Sequence, residues 1–295
     1  MNFNRPGNYS SKHTQPLTIE EIGQIAPSAL AVRAHESRSD RYAYIPTLDV
    51  IKGMMDAGFQ PFKASQSISR VEGKGDFTKH MIRFRREGAQ LSNVGDSIPE
   101  VVLINSHDGT SAYKLIAGMF RLVCSNGLVI ADSTIASVSV HHKGNILDNV
   151  IEGSYRIVSD SEVAMERVAQ WSNLQLTTGE QSAFAEAAHT MRFADSEGTV
   201  TTPITPTQLL APRRHWDNGN DLWHTFNRVQ ENVIQGGLSA RTRSSYDELG
   251  RFVPSRRVST REIKGIDQDV RLNRALWTLA EKMAELRGVP AVAAA

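Results

Sequence analysis

Residues 62–71 (FKASQSISRV) and 77–86 (FTKHMIRFRR) decide the fold, because they flank a five-residue loop that holds two glycines. Side chains in each segment alternate between two sets, as they do along a β-strand. Two such segments around a short glycine-containing loop predict a β-hairpin. The second segment divides into two faces, one with His80, Ile82 and Phe84 and the other with Lys79, Met81, Arg83 and Arg85.

A second hairpin is predicted directly after the first. Residues 100–106 and 111–117 alternate in the same way around a turn that contains Asp108-Gly109, a pair favoured where turn residues need positive φ. Residues 134–142 predict a further strand. Residues 119–130 remain ambiguous, because Asn126-Gly127 fits either a hairpin turn or the end of a short helix. The middle of the chain therefore predicts an antiparallel sheet of four to six strands.

Helical patterns lie on both sides of the predicted sheet. Thr18 begins a short helix over 18–25, and Pro46 opens a helix that stops at Gly58. Periodicity near 3.6 returns after Asn145 and predicts helices over 160–174, 179–192, 206–211, 221–235 and 267–286. The fold class is α+β, with a central antiparallel sheet built from β-hairpins, flanked by helices, and a helical C-terminal part.

These patterns divide the chain into five parts. They are a flexible N-terminal arm (1–17), a helix plus antiparallel β-sheet core (18–144), a helical region packed on the sheet (145–237), a basic extended segment (238–265), and a C-terminal helix and tail (266–295).

Composition excludes several classes of protein. The chain has 295 residues, 40% hydrophobic, with a net charge of +1, so it is not disordered throughout. A single cysteine excludes an intrachain disulfide and a cysteine-based metal cluster. No apolar run is long enough to span a membrane, and the polar N-terminus does not resemble a secretory signal. We therefore expect a cytoplasmic protein without membrane attachment.

Charge is distributed unevenly along the chain. Residues 63–90 and 239–274 each carry a net charge of +4, whereas residues 145–200 carry −6. A nearly neutral protein can thus present separate basic and acidic faces to charged ligands. The alternative is that these are ordinary solvated surfaces whose charges happen to segregate.

Two stretches of the central region carry a family resemblance. Asn105-Ser106-His107-Asp108-Gly109-Thr110-Ser111, followed by Arg121 to Leu128 with Cys124 and Asn126, is similar to the signature of the phage/plasmid-like proteins of domain of unknown function 932. The segment from Gly265 to Trp277 also resembles that family. Ser125 departs from the glutamine that is commoner there. The resemblance implies a phage, plasmid or integrated-element setting and transfers no catalytic residue.

Candidate catalytic groups are few. His107 and Asp108 could form an acid/base pair or half a metal site, but adjacent residues of a strand point to opposite faces, and turn chemistry explains both residues better. Cys124 lies in an apolar run that is more typical of a buried small hydrophobe than of a nucleophile. Phosphate-loop, dinucleotide and hydrolase motifs are absent from the sequence. We therefore expect no cofactor and no metal, and an enzyme is the least supported class.

Nucleic-acid recognition has more support. A row of guanidinium groups and small hydroxyls suits a phosphate backbone, and aromatic rings among basic residues suit the bases of single strands. The candidate binding residues are Arg70, Lys74, Lys79, Arg83, Arg85, Arg241, Arg243, Arg256 and Arg257, with Trp216, Tyr246 and Phe252 as stacking candidates.

The sequence therefore predicts a mobile-element protein that binds single-stranded DNA without catalysis, in annealing, protection or recombination, as a homo-oligomer. Charge reversal at Arg83 and Arg85 is then expected to weaken DNA binding without unfolding the protein. The alternative is a counter-defence or regulatory protein that binds a host defence or replication complex. A heptad spacing of leucines and one methionine in the last helix fits either a subunit interface or packing on its own domain.

Overall fold

A computed structural model describes residues 15–36, 44, 46–69, 71–88, 97–111, 113–121, 126–129, 138–140, 146–214 and 217–289. The chain forms two compact units. The first consists of Met1–Glu166, Lys264–Val270 and Ala293–Ala295, and the second of Arg167–Ile263 and Arg271–Val292. The first boundary between the two units lies inside a long helix, after Glu166.

Two short helices precede the sheet in the first unit. Helix α1 (Ile19–Ile25) begins with a capping box, in which the Thr18 hydroxyl accepts from the Glu21 amide and the Glu21 carboxylate accepts from the Thr18 amide. Helix α2 (Thr47–Asp56) follows Pro46 and ends before Gly58, whose φ is +83°. Both helix starts agree with the sequence prediction.

The sheet of the first unit is antiparallel. Its strands are β1 (Phe59–Gln66), β2 (His80–Arg86), β3 (Ser97–Asn105), β4 (Tyr113–Arg121), β5 (Asn126–Val129) and β6 (Val138–Val140). They run in the order β1-β2-β3-β4-β5, and β6 pairs with the other part of the β4 edge. The predicted α+β class, with its hairpin-built antiparallel sheet, is confirmed. Asn126 and Gly127 lie in β5 opposite Arg121 and Phe120, so both sequence interpretations of this pair, a turn and a helix end, are wrong.

Helices make up most of the second unit. They are α3 (Ile146–Asn173), whose first part belongs to the first unit, α4 (Thr178–Phe193), α5 (Pro206–Leu209), α6 (Leu222–Gln235) and α7 (Ile266–Leu286), whose first turn belongs to the first unit. The core of the second unit is aromatic. Trp223 stacks on Phe226 with 5.6 Å between ring centroids, and Trp171 lies 4.6 Å from Trp277.

The first two heptad positions of α7 belong to this core. Leu272 and Leu276 are buried within the second unit, whereas Leu286 at the end of the seam is 82% exposed. The first half of the seam therefore packs on its own unit.

A β-ribbon leaves the end of α6. Strands β7 (Ser239–Arg241) and β10 (Arg257–Ser259) pair at its base, and β8 (Ser245–Tyr246) and β9 (Phe252–Val253) pair near its tip. We call residues 239–261 the β-arm. The segment that the sequence predicts as basic and extended is thus a regular antiparallel ribbon. No helix among the described residues is long and apolar enough to cross a membrane.

Gly236 fixes the point where the β-arm leaves α6. Its φ of +64° and ψ of −145° lie in a region that only glycine adopts readily. A Cβ at this position would lie 2.5 Å from the backbone carbonyl carbon of Arg261. The two ends of the β-arm can therefore approach each other only because residue 236 has no side chain.

We expect Gly236→Ala to lower the free energy of unfolding by about 2 kcal/mol or more, because it adds a clash to the backbone strain. Gly237→Ala is the matched control, since Gly237 also has a positive φ (+82°) but nothing within 4 Å of its Cβ position. Chemical denaturation of both variants measures the difference. Equal losses for the two variants would contradict the close approach to Arg261.

Candidate nucleic-acid interface

The basic face of β2 lies in the interior of the first unit. Arg83 is only 1% exposed, and its guanidinium donates to the carboxylate of Glu100 at 3.0 Å. Asp269 in the first turn of α7 lies 3.9 Å from the same guanidinium. Two carboxylates thus lie beside this one buried cation.

Arg85 is buried on the same face. Its Nε donates to the other oxygen of Glu100 at 2.9 Å, so Glu100 bridges two arginines. The guanidinium also lies 3.7 Å from the ring centroid of Phe120 and 4.2 Å from that of Phe62. Burial lowers the pKa of Arg85, and the charge of Glu100 opposes that effect. These contacts hold the side chain inside the fold.

The first turn of α7 covers this face of the sheet. Ile266 belongs to one apolar cluster with Met81, Val102, Ile104 and Ile116. Lys79 donates to Asp267 at 2.7 Å and keeps only 14% of its side chain exposed. The expectation that Lys79, Arg83 and Arg85 form an open basic face is therefore wrong, because a helix from the far end of the sequence packs over it and supplies acids to it.

The same burial overturns the expected effect of charge reversal. Reversing Arg83 and Arg85 would place carboxylates against Glu100 in the interior, and the protein would lose stability. Lys74 is half-buried in the loop between β1 and β2, where its charge helps to lower the pKa of Asp108. Arg70 lies outside the described residues.

The arginines of the β-arm have the opposite surroundings. The β-arm contains six arginines and two acids, a net charge of +4. Arg241, Arg243, Arg256 and Arg257 are all exposed. Among the described residues, the side chains of Arg243 and Arg256 have no hydrogen-bond or ion-pair partner. Arg251 is the one that forms an ion pair, with Asp247 at 2.7 Å.

Two arginines face each other across the base of the β-arm. Arg241 and Arg257 are direct partners in the β7–β10 register. They donate to hydroxyls, Arg241 to Ser255 at 3.1 Å and Arg257 to Ser239 at 3.1 Å, and within the described part of the chain neither has a carboxylate partner. Like charges directly opposite each other destabilise a strand pair, and an anion between them would remove that cost.

Two aromatic rings lie near the tip of the β-arm. Tyr246 is 73% exposed, Phe252 is 60% exposed, and they are cross-strand partners in β8 and β9. Their centroids are 5.8 Å apart, and their planes are inclined at 67°. The structure therefore combines exposed guanidinium groups and exposed rings on one ribbon. Trp216, the third stacking candidate, lies outside the described residues.

The residues of the family signature around His107 lie in the interior of the first unit, at the end of β3. Asn105, Ser106 and His107 are fully buried where β3 ends. The Ser106 hydroxyl accepts from the Ser111 amide at 2.8 Å and ties the loop to its own far end. These residues therefore lie below the surface, at the turn between β3 and β4.

Asp108 and Gly109 form the turn itself. One Asp108 oxygen accepts from the Thr110 amide at 3.0 Å and from the Thr110 hydroxyl at 2.6 Å, and Gly109 has a φ of +75°. Partial burial raises the pKa of Asp108. The hydrogen bonds from Thr110 and Ser106 and the charge of Lys74 together outweigh that effect, so the pKa is lowered overall. This is the turn chemistry that the sequence favours over an acid/base role.

A buried polar network centres on Thr47, the first residue of α2. Its hydroxyl lies 3.0 Å from His80 Nε2, 3.1 Å from His107 Nε2 and 3.3 Å from the Tyr113 hydroxyl, and it accepts from Asn105 at 3.0 Å. All five side chains are fully buried. The network joins α2 to three strands in the interior of the first unit.

His80 is the strongly perturbed titratable group of this network. Burial and, secondly, the charge of nearby His107 lower the pKa of His80 to about 3, although a hydrogen bond to the Thr78 carbonyl and the charge of Asp108 act in the opposite direction. His80 therefore stays neutral in the folded protein at neutral pH. A neutral, enclosed imidazole with hydrogen bonds on both nitrogens fits a structural role.

The remaining signature positions lie at the edge of the described structure. Asn126 is the first residue of β5, and its backbone pairs with that of Arg121. Cys124 lies outside the described residues.

Comparison with known proteins places the chain in a family. The family described as Domain of unknown function (DUF932) matches residues 34–277. The chain belongs to this family. It is 44% identical over 272 residues to the UPF0380 proteins YafZ and YfjQ of Escherichia coli strain K12, which covers 92% of this chain and 93% of each relative. No solved structure matches it. The resemblance seen in the sequence is thus confirmed for this DUF932 protein.

Sequence reasoning missed Glu100, Asp267 and Asp269, the acids that pair with the basic face of β2 in this DUF932 protein. Glu100 is the one charged residue of β3 and directly precedes the apolar run Val101–Ile104, and a single acid in such a position is a usable signal that a cation lies nearby. Thr47 was also missed, since nothing in the local pattern of α2 distinguishes a buried hub from an ordinary first-turn residue.

We expect Glu100→Gln to lower the free energy of unfolding by about 3–5 kcal/mol, because it leaves two buried guanidinium groups without their shared carboxylate. Glu87→Gln is the matched control, since Glu87 is exposed just after β2, the strand that carries both arginines. Urea denaturation followed by circular dichroism measures both. A loss below about 1 kcal/mol for Glu100→Gln would contradict the bridging role.

Acid should destabilise the protein through His80. The unfolded chain protonates this residue near its ordinary pKa of about 6.5, whereas the folded protein does so only near pH 3. The contribution of His80 to the free energy of unfolding is therefore fully present above about pH 6.5. Below that value it decreases by about 1.4 kcal/mol per pH unit.

Denaturation at pH 7.5 and pH 5.5 tests this prediction. The decrease between the two pH values should be about 1.4 kcal/mol smaller in His80→Gln than in the unsubstituted protein, because groups other than His80 contribute equally to both. Equal decreases in the two proteins would show that His80 does not carry the effect.

Proposed function

We propose that this protein binds single-stranded DNA without catalysis and that the β-arm is the contact surface. The observation that carries the proposal is the exposure of Arg241, Arg243, Arg256 and Arg257 on one narrow ribbon with two exposed rings. Solvated cations with no acidic partner are free to meet phosphates. The buried arginines of β2 play no part in it.

The mechanism combines two kinds of contact. Guanidinium groups along the β-arm would pair with successive phosphates, which gives attraction without dependence on base sequence. Tyr246 would offer a ring to unpaired bases, since every base has a face that stacks on an aromatic side chain. Such binding weakens steeply as salt concentration rises, because each phosphate contact releases a counterion.

The biological setting is part of the same proposal. The phage and plasmid context implied by the family resemblance suits a protein that anneals, protects or recombines single strands. We also propose that it acts in the cytoplasm as a homo-oligomer, since several copies would place several β-arms along one strand.

The second candidate is binding to an acidic surface of a host protein, in counter-defence or regulation. Leu249, 77% exposed, and Val253, 39% exposed, favour it, because aliphatic side chains at the tip would also fit an apolar site on a protein. The two candidates differ in their response to DNA alone, so a purified system separates them.

We expect Arg243→Gln/Arg256→Gln to weaken binding to a fluorescein-labelled dT₂₀ oligonucleotide by about tenfold at 50 mM salt, or ~0.7 kcal/mol per guanidinium. The slope of log affinity against log salt should decrease by about 0.7 for each phosphate contact removed. Fluorescence anisotropy measures both quantities.

The matched control is Arg271→Gln/Arg274→Gln, which removes the same charge from exposed positions of α7. Its affinity should change by less than about twofold. A flat anisotropy signal for the unsubstituted protein at 20 mM salt would contradict DNA binding and favour the protein partner.

A further inference from the structure

The tip of the β-arm is unusually apolar. Among the described residues, ten large hydrophobic side chains are exposed, and four of them lie within residues 246–253. They are Tyr246, Leu249, Phe252 and Val253. Exposed apolar groups cluster where a protein meets a partner. The arginines other than Arg251 lie closer to the base, so the ribbon is basic along its length and apolar at its end.

The tip is also held in one conformation. Asp247 accepts from the amides of Leu249 at 3.0 Å and Arg251 at 2.8 Å, and its other oxygen accepts from the Arg251 guanidinium at 2.7 Å. Gly250 supplies a φ of +74° and donates to the Asp247 carbonyl at 2.9 Å. The apolar side chains therefore project from an ordered turn, which reduces the entropy lost when they bind.

The inclination of the two rings limits what they can bind. Successive bases of a strand lie parallel, but the planes of Tyr246 and Phe252 meet at 67° and their centroids are 5.8 Å apart. Both rings cannot belong to one continuous stack of bases. One ring can stack on the last base while the other contacts the edge of that base. Such an arrangement would cover the terminal base pair of a duplex.

We infer that the tip recognises the junction between a single strand and a duplex, with its rings and Leu249 packed on the terminal base pair while the arginines follow the unpaired tail. This inference rests on the proposed DNA binding and names the form of DNA. Minor-groove proteins already use apolar side chains such as Phe and Leu to contact the faces of base pairs. A blunt duplex offers a terminal base pair to the tip but no unpaired tail to the arginines, and a single strand offers only the tail.

Three labelled DNA ligands test the inference: a 20-nucleotide single strand, a blunt duplex, and a duplex with a single-stranded tail of 20 nucleotides. We expect the unsubstituted protein to bind the tailed duplex about tenfold more tightly than the single strand, an increment typical of one stacked base. In a second readout, 2-aminopurine at the terminal pair should become less accessible to acrylamide quenching when the protein binds.

Two variants separate the tip from the rest of the β-arm. Leu249→Ser should reduce the junction preference to less than about twofold and leave single-strand affinity within about threefold, whereas Arg243→Gln/Arg256→Gln should weaken all tailed and single-stranded ligands equally. The matched control Ile68→Ser removes an aliphatic side chain of similar exposure elsewhere and should change neither. Thermal denaturation verifies that each variant is folded.

The outcomes distinguish the two proposals. Single-strand binding with no preference for the tailed duplex would overturn the junction inference and leave DNA binding intact. A preference that survives Leu249→Ser would also overturn it, because the tip would then not be its source. Absence of binding to all three ligands would overturn both proposals together.

Discussion

The bridge from Glu100 to Arg83 and Arg85 is the interaction on which the first unit depends. One carboxylate, fully buried, holds two guanidinium groups at 3.0 and 2.9 Å, and two phenylalanine rings enclose the second of them. An isolated charge in such a place would be prohibitively unfavourable, so the three side chains can be buried only together. This arrangement lets both faces of the sheet be covered, because the charged side chains of β2 no longer need water.

The limits of sequence reasoning follow from the same bridge. Alternation along residues 77–86 correctly separates His80 and Ile82 from Arg83 and Arg85, because side-chain direction in a strand is a local property. Exposure is not local. The acids that neutralise the basic face come from the next strand and from the first turn of α7, and a charge sum over residues 63–90 includes neither. A face that is strongly basic in sequence is therefore close to neutral in the fold.

Local chemistry predicts other parts of the structure well. The Thr18 capping box, the Asp108-Gly109 turn and the end of α6 at Gly236 depend on hydrogen bonds or φ values within a few residues, and each was readable from the sequence. The Thr47 network was not, because its partners lie 33 to 66 residues away along the chain. The β-arm falls between these cases. Its composition indicated a basic extended segment, but only the pairing of its strands shows that its arginines remain exposed.

The register of the β-arm has a thermodynamic consequence. Arg241 faces Arg257 across a ribbon that consists of two strands in the described part of the chain. Their mutual repulsion works against closure of the ribbon, so strand pairing and anion occupancy are linked equilibria that favour each other. A polymer with regularly spaced negative charges relieves this repulsion more completely than scattered counterions do, because one covalent backbone holds its charges in place beside both strands. Binding of such a polymer to the ribbon would therefore stabilise its strand pairing.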